Sequence, residues 1–288
     1  MFLRSPAKVN LFLEVLGRRP DGYHQIETIF QAVDLCDEIE LERTEGEIEL
    51  TCDSKEVPPG EENLAYRAAA LLKKEAGVRS GVKIALKKII PVAAGLGGGS
   101  SNAASVLLGL NELWGLNRER ERLMELGAGL GADVPFFISG FSTALGRGRG
   151  EELTGLSPGP GNWWVVLVIP GVKLLSREIY GALNSTLTGP GSAVKIVINA
   201  LREKDLAKLE SLLFNRLEEA AIKACAEITV IKKALRAAGA RCVLMSGSGP
   251  AVFGIAGDRK EAAEIKNKLA GRDWRILTAR FLNGNFSD

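Results

Sequence analysis

Apolar positions alternate with polar ones, or are β-branched, over residues 9–16, 25–33 and 38–52, so the chain opens on predicted strands that form a mainly antiparallel sheet. Arg19-Pro20-Asp21-Gly22 separates the first two and reads as a tight turn. The period then changes. Leu64, Ala68, Leu71 and Leu72 recur at helical spacing within residues 62–76, and Gly77 stands where a left-handed residue ends a helix. Residues 82–90 return to a strand, residues 102–113 form an apolar helix and residues 118–126 a charged one. A glycine-rich hairpin is predicted around Gly146-Arg147-Gly148-Arg149-Gly150, and Ser157-Pro158-Gly159-Pro160-Gly161 breaks the pattern. That break divides the chain into expected domains at 1–158 and 159–288. The second half starts afresh with a strand at 163–169 and a helix from Ser176. Two or three helices follow between residues 192 and 238, then paired strands at 241–246 and 251–255, a helix at 259–269 and a strand at 274–281. Strand, helices, two strands, helix, strand is the order of a split βαβ, ferredoxin-like domain, so the fold class is α+β.

Composition narrows the partners. A chain of 288 residues fits about two domains, and 46% hydrophobic with 25% charged residues is an ordinary globular balance. With 37 basic against 35 acidic residues there is no global field to draw in nucleic acid or an anionic membrane. Arg118-Glu119-Arg120-Glu121-Arg122 alternates in sign, as a solvated helix face does. Four cysteines without a Cys-x-x-Cys spacing and a single histidine argue against a zinc site or a disulfide framework, and fit a reducing cytoplasm. No apolar run approaches the roughly 18 residues of a membrane span, and the patch between Arg4 and Lys8 is too short for a secretory signal.

Chemistry concentrates in one run: Pro91, Val92, Ala93, Ala94, Gly95, Leu96, Gly97, Gly98, Gly99, Ser100 and Ser101, followed by the Asn102 helix. Glycines and serines let main-chain N–H groups approach an anion without Cβ interference, and the helix that follows turns its positive end toward that anion. The run reads as a nucleotide-phosphate loop. It is not a Walker A loop, which needs Gly-Lys-Ser/Thr at its end, and the Gly-x-Gly-x-x-Ala at Gly127, Gly129 and Ala132 follows a helix where a dinucleotide fingerprint follows a strand. A flexible linker is the alternative, and a strand before the run with a strong helix after it speaks against one. Three further segments stand out: Pro6-Ala7-Lys8-Val9-Asn10, Gly22-Tyr23-His24 and Gly131-Ala132-Asp133-Val134-Pro135. Taken singly, Lys8 is a surface lysine, Asn10 a polar strand residue, His24 a turn residue and Asp133 a helix cap.

Together, and with Ser246-Gly247-Ser248-Gly249-Pro250, these segments resemble the GHMP kinase superfamily in order and spacing over residues 1 to about 282. Lys8 and Asn10 with Asp21-Gly22-Tyr23-His24 are most similar to members whose acceptor is a cytidine diphosphate conjugate of a methylated erythritol. The resemblance implies a ribosomal-protein-S5-domain-2-like N-terminal domain for ATP binding and catalysis and a ferredoxin-like C-terminal domain for substrate. It implies ATP and Mg²⁺, a small-molecule substrate, no nucleic-acid or membrane partner, and a monomer or homodimer. Asp133 matches the family's catalytic aspartate, placed to accept the proton of the substrate hydroxyl, and Lys8 the lysine that orients that hydroxyl and the carboxylate. Tyr23 matches a cytosine-stacking aromatic, His24 the reader of the base edge, and Asn10 a polar contact to substrate. Tyr180 is the candidate for a second aromatic wall, although Leu175 stands where members commonly carry serine. Residues 91–101 wrap the triphosphate with Ser100 or Ser101 near Mg²⁺, and Asn63 and Lys88 match positions near adenine. A helix N-cap and an ordinary edge lysine are the alternatives for those two. The 146–150 hairpin has no assigned role, and a plain turn also explains 247–249. Other readings are a relative acting on homoserine or mevalonate, which needs neither Tyr23 nor His24, and a non-catalytic sensor, against which Lys8 and Asp133 speak.

Overall fold

Two long strands form the spine of the structure, a computed structural model that describes residues 1–156, 161–183 and 193–284. Strand β1 (Phe2–Arg18) pairs antiparallel with β2 (His24–Thr44) along its length, with register shifts at Pro6/Ala7, Asn10/Phe12 and Val15/Gly17. Both outrun the predicted strands, because β2 continues past residues 34–37, where two aspartates break the apolar pattern, by bulging at Asp34 and Leu35 and resuming its pairing at Cys36. The run predicted over 38–52 is instead the end of β2 and a separate β3 (Ile48–Cys52), parallel to β4 (Gly81–Lys87) at the sheet edge. The order is β3-β4-β2-β1-β8, where β8 is Phe214–Asn215 of the second half, with β5 (Thr143–Arg147) joining β2 and pairing β6 (Glu152–Gly155).

Helices α1 (Leu64–Ala76), α2 (Gly98–Leu113), α3 (Arg120–Leu130) and α4 (Val134–Ser139) pack with this sheet. Leu72, Val106, Leu107, Leu110 and Phe136 share its apolar core with Ile39, Leu41 and Ile84. Gly77 ends α1 in the left-handed conformation, as its position predicts. Helix α2 starts at Gly98, within the glycine run itself, so its first turn is built from that run.

The second half contains β7 (Trp164–Pro170), α5 (Ser176–Gly181), α6 (Ala193–Glu203), α7 (Leu206–Glu210), β8 (Phe214–Asn215), α8 (Glu218–Ala224), α9 (Glu227–Ala238), β9 (Arg241–Met245), β10 (Val252–Ala256), α10 (Arg259–Lys268) and β11 (Trp274–Arg280). Its antiparallel sheet runs β11-β7-β10-β9, the ferredoxin-like order expected. Four helices, not two or three, lie between residues 192 and 238, and α7 and α8 are too short to show a period. Two-residue β8 pairs parallel with Phe12 and Leu13 of β1, tying the second half into the first sheet. Val9 and Leu11 of β1 share one core with Val165, Leu167 and Phe253 of the second sheet. The proposed boundary at 158/159 lies outside the described residues. Among those described, no helix is long and apolar enough to cross a membrane.

Candidate active site

The glycine loop is held from behind by three hydrogen bonds to its carbonyl oxygens. Lys8 N–H donates to Leu96 O at 3.0 Å, Ala251 N–H to Ala94 O at 3.2 Å, and Ser246 Oγ to Gly95 O at 2.9 Å. Ala94 and Leu96 bury their side chains, so the intervening backbone is pinned. Glycine is obligatory at two places. A Cβ on Gly95 would lie 2.2 Å from Ser246 O, and one on Gly97 would lie 3.0 Å from both Lys8 Cγ and Phe137 Cζ, with φ at +79° and +73°. Gly97 is also the N-cap of α2 and offers no side chain to its first N–H groups. Those donors, with the helix dipole behind them, make an anion site. On the far side, a Cβ on Gly247 would stand 3.1 Å from Gly95 O and 3.3 Å from Lys8 Nζ. The 247–249 segment is therefore a close backbone approach to the loop as well as a turn between strands.

Beneath the loop lies an ion pair that sequence reasoning missed. Asp37, fully buried on β2, accepts from the N–H groups of Ile89 and Ile90 at 2.7 and 2.8 Å, from Asn102 Nδ2 at 2.9 Å, and from Lys88 Nζ. Lys88 also donates to Asn102 Oδ1 at 3.2 Å. Strand end, loop entrance and α2 are thus tied through one carboxylate. Lys88 is no exposed edge lysine, and its charge lies under the start of α2, where a Cβ on Gly98 would be 3.2 Å from Nζ. Breaking such a buried pair from one side costs about 3–5 kcal/mol, so Asp37 holds the loop's frame. The missing signal is physical: a lone acid between two strands looks like a turn residue.

A cleft of about 1150 Å³ gathers most of the remaining candidates, including Lys8, Asn10, Tyr23, His24, Asp133 and Tyr180, around the loop. Lys8 is only 4% exposed, and its Nζ donates to Asn10 Oδ1 at 2.6 Å and lies 3.3 Å from Asp133 Oδ2. Asp133 is the N-cap residue of α4 but makes no side-chain cap bond, so the helix-cap reading is not realised. With its side chain 30% exposed, the carboxylate faces both the ammonium and the open cleft.

Tyr23 is more than half exposed, and the Arg149 guanidinium covers one face of its ring at 4.9 Å. Arg149 also lines the cleft and is held by Glu151 Oε1 and Ala128 O. The hairpin left without a role therefore supplies a cation to the site. A charged residue in a glycine turn carries no periodic signal. His24 stacks on Tyr180, with ring centroids 5.2 Å apart and planes at 27°. Burial, and secondarily the charge of Arg18, lowers the His24 pKa, so the imidazole is neutral at neutral pH. Burial, and secondarily the Asp133 carboxylate, raises that of the Tyr180 phenol, which stays protonated. Leu175 forms the N-cap of α5 without a side-chain bond.

The two serines separate. Ser100 opens into the cleft, whereas Ser101 is fully buried and its hydroxyl accepts from Ser5 Oγ at 2.9 Å. Asn63 lines the cleft but spends both polar atoms on local structure, accepting from Ala65 N–H at 2.9 Å and donating to Pro58 O at 3.1 Å. It is the N-cap of α1.

Residues 63–141 match the family model of the GHMP kinases N terminal domain, and residues 197–275 match that of the GHMP kinases C terminal domain. The chain is 44% identical over 278 residues to 4-diphosphocytidyl-2-C-methyl-D-erythritol kinase of Pelotomaculum thermopropionicum, covering 96% of each chain. A crystal structure of 4-(cytidine 5'-diphospho)-2C-methyl-D-erythritol kinase superposes with a TM-score of 0.85 at 38% identity, covering 99% of this chain and 100% of the other. Homoserine kinase from Cytophaga hutchinsonii, at 20% identity and a TM-score of 0.77 over 99% and 95% of the two chains, shares the fold alone.

Proposed function

The chain belongs to the GHMP kinases, and within them to the 4-diphosphocytidyl-2-C-methyl-D-erythritol kinases, and from that premise we propose how its cleft carries the reaction. The protein phosphorylates 4-diphosphocytidyl-2-C-methyl-D-erythritol with ATP, a step of isoprenoid biosynthesis. The acceptor atom is the 2-hydroxyl, and the reaction runs in the cytoplasm. The observation that carries the assignment of roles is the Lys8–Asp133 pair standing in one cleft between the glycine loop and the Tyr23, His24 and Tyr180 rings.

Asp133 accepts the proton of the 2-hydroxyl as its oxygen forms the new bond to the γ-phosphorus. The bond from that phosphorus to the β,γ-bridging oxygen breaks, and ADP leaves. Lys8 orients the carboxylate and adds positive charge beside the transferring group. The N–H groups opening α2 take up charge on the phosphates. Phosphoryl transfer asks the protein for positioning and charge neutralisation more than for covalent chemistry, and this pair supplies both. The Ser100 hydroxyl suits magnesium, since it is a hard oxygen donor that opens into the cleft at the start of α2. When bound, the ion would neutralise phosphate charge, held mainly by the phosphates and water.

On the acceptor side, the exposed face of Tyr23 stacks the cytosine while Arg149 backs the other. His24, held by Tyr180, reads the base edge with one donor and one acceptor nitrogen, as a neutral imidazole offers. His24→Ala is therefore expected to raise KM for the cytidine substrate about tenfold or more, the loss of about 1.4 kcal/mol, with KM for ATP within twofold. In the unsubstituted protein, KM for the cytidine substrate should be flat around neutral pH and rise only below the ordinary histidine range, where protonation removes the acceptor nitrogen. Steady-state kinetics on both substrates checks this, and a change confined to ATP would remove the base-reading role.

A further inference from the structure

Thr28 looks like an ordinary β-branched strand residue, yet its buried hydroxyl ends a chain of polar contacts that leads to the reacting centre. Thr28 is fully buried on β2, opposite Leu13 of β1 and next to the register shift between Asn10 and Phe12. Its Oγ1 donates to Phe12 O at 2.7 Å and accepts from Asn10 Nδ2 at 2.8 Å. A hydroxyl has one proton, and here it is committed to Phe12. The oxygen is therefore left to accept, so the Asn10 amide turns its NH₂ to Thr28 and its carbonyl oxygen to Lys8. That carbonyl receives Lys8 Nζ at 2.6 Å, and Nζ lies 3.3 Å from Asp133. Turned over, the amide would point two donor hydrogens at an ammonium that is itself donor-only, in a site where Asn10 is 1% exposed.

We propose that Thr28 is a positioning residue for phosphoryl transfer: it fixes the Asn10 amide so that an acceptor faces Lys8 and holds the ammonium beside Asp133. This rests on the roles given above to Lys8 and Asp133. Thr28→Val keeps the shape and removes both hydroxyl bonds, leaving Asn10 Nδ2 and Phe12 O without that partner. Small misplacement at a reacting centre costs up to about 100-fold, so kcat is expected to fall about 10- to 100-fold while KM for ATP and for the cytidine substrate stays within twofold. Thr28→Ser, which retains the hydroxyl, is expected to restore most of kcat.

The test is kcat per nucleotide-binding site for Thr28→Val, Thr28→Ser, Lys8→Ala and the double variant Lys8→Ala/Thr28→Val, with Tm for each. A merely structural role would lower Tm and leave kcat per folded site unchanged, which would overturn the proposal. In the Lys8→Ala background, Thr28→Val is expected to cost nothing further, because it acts through Lys8, and losses that multiply would also overturn it. Lys8→Ala with full turnover would sink the reading of Lys8 and this proposal with it, whereas loss in Lys8→Ala with full turnover in Thr28→Val sinks only the proposal. If the valine variant does not fold, Thr28→Cys takes its place, since a thiol is a weak donor and acceptor, and undiminished kcat there would contradict the assignment.

Discussion

Asp133→Asn is expected to lower turnover about 10²- to 10⁴-fold while ATP and the cytidine substrate still bind, the range that general-base catalysis supplies. The substitution keeps the shape of the side chain and removes both the proton acceptor and the charge that faces Lys8 at 3.3 Å. It has little to do to the fold, because Asp133 makes no cap bond to α4 and its side chain is partly open to the cleft. Rate and binding should therefore separate. Single-turnover rates beside calorimetric Kd values for both ligands would show it, and a variant with undiminished turnover would remove Asp133 as the base.

Gly97→Val is expected to fail at the earlier step. A valine there must adopt φ near +73°, which costs a residue with a Cβ about 1–2 kcal/mol, and its Cβ would begin 3.0 Å from Lys8 Cγ and Phe137 Cζ. Its γ-carbons would press further on those side chains and displace the backbone at the start of α2, whose N–H groups are assigned to the phosphates. ATP affinity should fall about 100-fold or more, equivalent to at least about 2.7 kcal/mol. Calorimetric titration with ATP, alongside a melting curve, reads the effect. Undiminished affinity in a folded variant would contradict the phosphate-loop assignment, whereas Asp133→Asn is expected to leave that affinity intact.

The glycine run was legible because bare backbone between a strand and a helix has few other uses, and the ferredoxin-like order because it rests on the sequence of long periodic elements. Asp37 was not legible. Its buried partners come from residues 88–102, and in sequence a polar residue inside a strand looks like a break. The same blindness split β2 in two. Helix α8 and strand β8 are too short to carry a period, so the crossing back to β1 was invisible. At Asp133 the sequence left cap and base open, since both suit an acid before a helix, and the structure removes the cap reading because the side chain makes no cap bond. Thr28 and Arg149 were overlooked for a different reason: β-branched residues suit strands and charged residues suit turns, so neither violates its local pattern. Their significance comes from what lies across the sheet or across the cleft.

One assay tests the acceptor most directly: ADP release from Mg·ATP with 4-diphosphocytidyl-2-C-methyl-D-erythritol, with homoserine and mevalonate as competing acceptors. Release is predicted to depend on the cytidine conjugate and to be absent with the other two. Turnover of homoserine or mevalonate with an inert cytidine conjugate would leave the fold and the phosphate loop standing and contradict the acceptor assigned to Tyr23 and His24.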